Sequence, residues 1–456
     1  MTRILIDVAL IELGYWLAYL LRFHGHLPAV NFAAFEHVLP YTTLLALFVL
    51  WVYEPYLYGW QPFGDILVTI ILAVTLLNAG TMALTFWSRG FAFPRTVFAI
   101  APLLQVALMC LWRWLERALT IGSEGVRKLV VIGEGDPAQF AAHFQESSDR
   151  PMEIVGAFRD GHDLAQIKEA LSQADLVYFT TTDLSERRGE ILSWCVAHDK
   201  TVLLVPNSYE IMIQGARKTR LGDQLLFRLE PMALSPAQRF AKRVEDLLLG
   251  SLLAAVALLV TPFVALAIKL TSPGPVLYRQ ERVGRDGQRF FIYKFRTMVD
   301  GAEKLTGPVL ATEDDPRITP VGRLLRATRL DEVPQVINIL KGEMSFVGPR
   351  PERPEFVAQF LQETPAYAHR FKVKPGVTGL AQVRGNYDTQ VKDKLRYDLY
   401  YIRNYSLFND LRILFQTLWV VLEPRAARGV KAEPPLVMAV NEQARRTRRE
   451  IWRNQY

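Results

Sequence analysis

Cysteine is almost missing from this chain: only Cys110 and Cys195 occur, the first in an apolar run and the second in a more polar region, with no C-x-x-C motif and no Cys/His cluster. That excludes a disulfide framework and a cysteine-ligated structural zinc, and leaves two free thiols as the expectation. Histidine is scarce as well, at 7 residues. His24 and His26 flank a glycine, but no further ligand stands near them in sequence, so a metal site there is not expected. No small-residue cleavage site follows the first apolar run, which argues against a signal peptide.

What is present in quantity is apolar surface. Half of the 456 residues are hydrophobic and the formal net charge is +7, which predicts more than one folded unit together with membrane segments. A positive balance suits an anionic membrane surface, a phosphorylated substrate or nucleic acid, and does not choose among them. Four apolar stretches, at about 4–21, 39–53, 66–87 and 97–112, approach the roughly 20 residues that span hydrocarbon. Tyr15, Trp16, Tyr19, Trp51, Tyr53, Trp87, Trp112 and Trp114 crowd their ends as an aromatic belt does. Residues 1–117 therefore read as four transmembrane helices. An even number of spans returns the chain to its starting side, and the larger basic group (Arg3, Arg113, Arg117, Arg127, Lys128) places that side in the cytoplasm. Asp7 and Glu12, inside the first run, are expected to face neighbouring helices.

Between 127 and 232 the pattern changes. KLVVIGEGD, EIVGAF, DLVYFTT and TVLLVP alternate with helical segments near 137–145, 163–173 and 185–198, which predicts a Rossmann-like, doubly wound parallel sheet. Gly133-x-Gly135 follows a strand, but the third glycine of a dinucleotide loop is replaced by Ala138, and Asp136 puts negative charge where a pyrophosphate approaches. A cofactor-free scaffold or dimerisation domain is the better expectation.

An apolar run of spanning length, LLLGSLLAAVALLVTPFVALAI, occupies 247–268. Arg239, Lys242 and Arg243 precede it and Lys269, Arg279 and Arg282 follow it, so a helix that enters and returns satisfies the positive-inside preference at both ends, whereas a spanning one breaks it. Pro262, which removes a helix hydrogen bond, and Thr261 beside it mark the expected break of a re-entrant segment at 240–270.

The densest chemistry lies in GRLLRATRLDEVPQVINILKGEMSFVGPRP, 322–351. Arg326 and Arg329 precede the acidic pair Asp331-Glu332, an apolar helix follows to Lys341-Gly342, and Gly348-Pro349-Arg350-Pro351 closes the stretch. Locally, Asp331 reads as an N-cap whose carboxylate stays ionised beside a place where phosphate oxygens also sit. An ordinary capped helix fits the stretch in isolation. Upstream, Lys294, Phe295 and Arg296 close a strand, FFIYKF, so that two cations project near its end where a diphosphate could be held. Asp314 and Asp315 read as structural carboxylates.

SPGPVLYRQERVGRDGQRFFIYKFRTM (272–298), the stretch above, KPGVTGLAQVRG (374–385) and KLRYDLYYIRNYSLFNDLRILFQT (394–417) occur in an order and spacing that resemble the catalytic domain of bacterial sugar transferases, the monotopic phosphoglycosyl transferases. The resemblance covers about 240–422. It implies a catalytic α/β domain at 271–425, a re-entrant helix with its break at Thr261-Pro262, and transfer of a hexose 1-phosphate from a UDP-sugar to undecaprenyl phosphate with release of UMP. That is the initiating step of surface polysaccharide assembly, at the cytoplasmic face of a bacterial inner membrane. By the same resemblance Asp331 is the nucleophile and the candidate Mg2+ ligand, and Glu332 its dyad partner. Lys294, Arg296, Arg326 and Arg329 become candidates for gripping phosphates, and the turn carrying Arg350 and Pro351 lies at the uridine end. A homodimer is expected and nucleic acid is not. Val383-Arg384-Gly385-Asn386 departs from the commonest wording, which bears on the choice of sugar. Residues 397–419 suggest interfacial amphipathic helices, and the basic tail at 426–456 a contact with anionic lipid.

Four apolar helices before a strand–helix domain also resemble membrane-bound nucleotide-sugar dehydratases. Those enzymes need Tyr-x-x-x-Lys, and here Thr182 and Ile213 stand four residues after Tyr178 and Tyr209. An inactive scaffold is the remaining alternative, against which the intact acidic pair and its cations argue.

Overall fold

The computed structural model describes residues 2–57, 63–87, 94–124, 126–133, 152–159, 162–180, 186–302, 315–385 and 390–422. The expected helix at 137–145, the Gly135–Ala138 turn, Asp314 and the 426–456 tail lie outside them. The chain divides into two compact units, Met1–Tyr209 and Glu210–Tyr456.

The first unit opens with α1 (Thr2–Arg22), α2 (Ala29–Leu57), α3 (Phe63–Trp87) and α4 (Arg95–Glu124), each longer than its apolar run. All four contain stretches long and apolar enough to cross a membrane, and this is a membrane protein. Polar groups inside such helices must find partners within the protein. Tyr15 donates to Asn78 Oδ1 (2.9 Å), Asn78 donates to Gln105 Oε1 (2.7 Å), and Gln105 donates to the carbonyl of Ile11 (3.0 Å), joining α1, α3 and α4. Asp7 pairs with Arg113 and Glu12 accepts from Thr43, so both acidic groups face neighbouring helices.

After them come β1 (Arg127–Ile132), β2 (Met152–Phe158), α5 (Leu164–Gln173), β3 (Leu176–Phe179), α6 (Glu186–Ala197) and β4 (Thr201–Leu204). The strands form one parallel sheet in the order β2-β1-β3-β4. The β-branched run at the centre of β1 is buried, and Ile167, Leu171, Ile191 and Cys195 from α5 and α6 pack on it with Val177 and Phe179. Helix α7 (Ser208–Ile213) carries the division between units.

The second unit contains the hairpin β5 (Arg217–Leu221) and β6 (Gln224–Arg228), then α8 (Pro236–Thr271), the antiparallel pair β7 (Leu277–Val283) and β8 (Arg289–Phe295), α9 (Pro320–Ala327), α10 (Val336–Lys341), β9 (Ser345–Val347), α11 (Pro354–Glu363), β10 (Gly376–Thr378), α12 (Leu380–Arg384), α13 (Val391–Arg403) and α14 (Leu407–Leu422). A capping box starts α8: Gln238 N–H donates to Ser235 Oγ (3.2 Å) and Ser235 N–H to Gln238 Oε1 (2.9 Å).

The buried residues of α8 form one stripe, Lys242, Asp246, Gly250, Ala257, Val264 and Ile268. Asp246 accepts from Ser345 and from Phe346 N–H; Gly250 lies against Ile339 and Leu340; Val264 and Ile268 pack with Phe295 and Leu325. Leu248, Leu252, Leu259, Phe263, Leu266 and Leu270 are exposed on the remaining surface. The helix is a single span of secondary structure with Pro262 inside it, so the anticipated interruption at Thr261-Pro262 is not a break in helicity. Proline removes one N–H bond there, and the packing of Val264 and Ile268 on the far side keeps the chain helical.

In α13 and α14, Leu395, Leu399, Tyr401, Ile402 and Ile413 are core, while Leu407, Phe408 and Leu418 are exposed. Lys242 bridges α8 to them by pairing with Asp410, whose other oxygen accepts from Tyr401 (2.8 Å).

Candidate active site

Two elements meet at Asp331-Glu332. One is the end of β8, where the expected strand stands as Arg289–Phe295; the other is a 3-10 turn, Leu330–Gln335, that runs into α10. Asn338, fully buried in α10, stitches them together: its Oδ1 accepts from Tyr293 N–H (3.3 Å), and its Nδ2 donates to Phe291 O and to Glu343, each at 2.7 Å. A buried amide with three partners fixes the turn against the strand. Leu330 and Val333 complete the contact against Phe295 and Leu325.

Asp331 is not the helix cap that the sequence suggested. It lies within the 3-10 turn, which Arg329 opens with no side-chain cap bond and a left-handed φ of 57°. Pro334 inside the turn tightens it, and the α-helix proper starts only at Val336 and ends as expected at Gly342, whose φ of 85° supplies the left-handed C-cap.

Glu332 Oε1 accepts from Lys294 Nζ at 2.8 Å and from Arg350 at 2.7 Å. Burial works against its ionisation, but the Arg350 and Lys294 charges hold the carboxyl well below its usual range. The Glu332 charge in turn raises Arg350. Burial holds Lys294 below the ordinary lysine range despite Glu332. Asp331, 9% exposed, behaves in the opposite way to its neighbour. Burial pushes its pKa up, Lys294 opposes that, and the negative Glu332 adds to it. Two adjacent carboxyls are thus driven apart: one is a fixed anion locked between cations, the other a buried and harder-to-ionise group facing Lys294, Arg326 and Arg329.

The turn at Gly348–Pro351 is held from beneath. Gly348 N–H donates to Thr378 O (2.9 Å) and Gly376 N–H to Pro349 O (3.0 Å). A Cβ on Gly376 would lie 2.2 Å from Gly348 N, so this approach needs glycine. The Arg350 carbonyl accepts from Arg370 (2.8 Å) and the Pro351 carbonyl from Arg282 (3.0 Å).

The structure therefore brings Asp331, Glu332, Lys294 and Arg350 together, with Arg326 and Arg329 acting on Asp331. Arg326 donates to Thr297 Oγ1 at 2.9 Å. Arg296 does not join them: it is buried and donates to the carbonyls of Ser272 and Pro273 at 2.8 and 2.6 Å, fastening the end of α8 to the strand. Pro351 contributes its carbonyl to Arg282. Asp315 is a structural carboxylate, chelated by Arg317, which holds it below its usual range. Asn338, Arg370 and Asp398 were missed in the sequence; Asn338 and Asp398 each interrupt an otherwise apolar helical stripe, the signal that would have found them. Among the described residues, no group of three His, Cys, Asp or Glu side chains could hold a metal.

The profile described as bacterial sugar transferase matches residues 237–424. A UDP-glucose:undecaprenyl-phosphate glucose-1-phosphate transferase of Xanthomonas campestris pv. campestris is 31% identical over 396 residues, 80% of each chain. The chain belongs to the bacterial sugar transferase family. Other members are more alike over shorter spans. The UDP-glucose:undecaprenyl-phosphate glucose-1-phosphate transferase of Escherichia coli (strain K12) is 41% identical over 236 residues, 50% of each chain. The UDP-N-acetylgalactosamine-undecaprenyl-phosphate N-acetylgalactosaminephosphotransferase of Aeromonas hydrophila is 37% identical over 272 residues, 59% of this chain and 63% of that one. The match thus spans about half the length of the E. coli transferase. The matched stretch includes Asp331, Glu332, Lys294 and Arg350, and ends within two residues of the described end of α14.

Proposed function

We propose that this bacterial sugar transferase moves a hexose 1-phosphate from a UDP-sugar to undecaprenyl phosphate, giving undecaprenyl-diphospho-sugar and UMP as the first membrane step of surface polysaccharide assembly. The observation that carries the reading is the Asp331-Glu332 pair, with Glu332 bonded by both Lys294 and Arg350 while Asp331 faces cations but is bonded by neither. The activities named for the relatives share the donor class and the acceptor and differ in the sugar.

In this reading a carboxylate oxygen of Asp331 attacks the phosphorus that bears the sugar. The bond from that phosphorus to the UMP oxygen breaks, UMP departs with the electron pair, and the sugar phosphate is left on Asp331. An oxygen of the lipid phosphate then attacks the same phosphorus, the bond to Asp331 breaks, and the carboxylate is restored. Splitting one anion-on-anion displacement into two lets Lys294, Arg350, Arg326 and Arg329 support each in turn. Asp331 also fits as the single protein carboxylate of a magnesium ion, since Mg2+ is commonly held by one or two carboxylates plus substrate phosphates. When bound, that ion supplies neutralisation of phosphate charge.

Helix α8 belongs to the same reading as a membrane-seated support that does not cross. Its buried stripe packs on the second unit from Asp246 to Ile268, and a domain that follows a helix along its length competes with lipid for the whole span. Both ends are basic. The catalytic unit then lies at the cytoplasmic face of the inner membrane, where nucleotide sugars are, and follows in sequence a bundle of four transmembrane helices and a Rossmann-like domain. A homodimer is part of the same proposal.

The test is UMP release from a panel of UDP-sugars by membrane-extracted protein with undecaprenyl phosphate and magnesium, wild type against Asp331→Asn. UMP that depends on lipid and on Asp331 supports the reading; UDP as product, or release that survives Asp331→Asn, overturns it.

A further inference from the structure

The geometry points to Arg370 and Asp398 as positioning residues that set the direction of Arg350, an inference that rests on the reading of Arg350 as a donor-gripping cation. Arg350 lies between Pro349 and Pro351. A residue before proline is confined to extended conformations, and within that range its carbonyl direction fixes how the side chain leaves the turn. That carbonyl is held: Arg370 donates to it at 2.8 Å.

Arg370 is 6% exposed, and a guanidinium so deep needs its charge answered by a partner; its Nε is buried without one, so its Nη atoms carry all its bonds. Asp398 on α13, 3% exposed, pairs with it at 2.9 Å, and Tyr367 takes a further bond. The next carbonyl, that of Pro351, is gripped by Arg282, which also pairs with Glu352 (3.4 Å). Two arginines from different elements thus hold two consecutive carbonyls of one turn. The path from Asp398 runs through Arg370 to the Arg350 backbone, and from the Arg350 side chain to Glu332. Neither Arg370 nor Asp398 reaches the acidic pair itself, so both act through Arg350.

The experiment uses the full chain in detergent and reads UDP affinity by titration calorimetry, alongside KM and kcat for the UDP-sugar that releases UMP. Asp398→Asn and Arg370→Lys are each compared with wild type and then repeated in an Arg350→Ala background. Expected is a loss of UDP affinity and a rise in KM of about tenfold or more in each single variant, a misplacement of about 1 Å costing up to about a hundredfold, with kcat changed far less and no further loss when Arg350 is already gone. Arg370→Lys keeps the charge for Asp398, so it preserves folding if Asp398→Asn does not. Wild-type UDP affinity in both variants, or losses that multiply in the double variants, would overturn the inference. UMP release by wild type tests the underlying reading separately, because UDP affinity is measured without turnover.

Discussion

Arg350 and Lys294 converge on a single atom, Glu332 Oε1, at 2.7 and 2.8 Å. The two cations that the reading sets beside the donor therefore already share one resident carboxylate, which cancels one of their two charges. Replacing it with an uncharged isostere separates ground-state binding from catalysis. Glu332→Gln is expected to lower KM for the UDP-sugar, because two cations are released to the donor, and to lower kcat, because they no longer sit in fixed positions beside Asp331. Folding is weakened as well, by about 2 kcal/mol, less than for a fully buried pair because Arg350 is partly exposed. Steady-state kinetics and denaturant titration check both; a higher KM with unchanged kcat would refute the resident-anion account.

Arg329 opens the 3-10 turn that carries Asp331 with φ of 57°, a conformation that costs a non-glycine residue on the order of 1 kcal/mol. Its charge also favours ionisation of Asp331. Strain retained beside the carboxyl proposed as nucleophile predicts a trade of stability for activity. Arg329→Gly is expected to melt at or above the wild-type temperature and to release UMP at least about tenfold more slowly, the scale of a lost charge contact near a transition state. Calorimetry and the release assay measure the two effects on one preparation.

Much of this site was legible before any coordinates. FFIYKF carries enough aromatic and β-branched side chains to mark a strand, and its last cation, Lys294, does reach the acidic pair. The four apolar helices were legible because hydrocarbon sets their length and hydropathy. Asp331 as a cap was not, because a local rule for helix starts cannot see that Arg329 turns left-handed and Pro334 tightens the entry into a 3-10 turn. Arg296 was misplaced for a related reason: its partners are the carbonyls of Ser272 and Pro273, and backbone acceptors leave no signature in sequence. Arg370 and Asp398 meet only through the packing of α13 against the 3-10 helix Pro365–Lys372, a relation with no characteristic spacing.

Asp398 also gives the fold a pH dependence with a defined sign. Burial pushes its pKa from an ordinary 3.8 up to about 6, although Arg370 opposes the shift. Between those values the folded protein binds more protons than the unfolded chain, so this group makes stability fall as pH rises from about 4 to about 6, with no contribution to the slope on either side. Asp398→Asn is expected to lower stability across the profile, because it leaves the Arg370 charge buried and unpaired, and to remove that slope. Melting temperature measured from pH 4 to 7 for the two proteins decides it; parallel curves would show that Asp398 keeps an ordinary pKa.

The seating of α8 can be tested without any assay of transfer. Phe240 and Leu270 lie near opposite ends of the helix and are exposed, at 74% and 78%. A straight helix between them rises roughly 45 Å at 1.5 Å per residue, more than a hydrocarbon core of about 30 Å, so length alone permits a crossing. The packing argues otherwise: Asp246 is fastened to Ser345 near one end and Ile268 to Phe295 and Leu325 near the other. A crossing would then carry parts of one compact unit to opposite faces of the membrane. With Cys110 and Cys195 replaced by serine, Phe240→Cys and Leu270→Cys are expected to react with a membrane-impermeant maleimide from the same side, in inside-out vesicles and not in intact spheroplasts. Labelling of one from each side would establish a fifth span and remove the membrane-seated reading of α8.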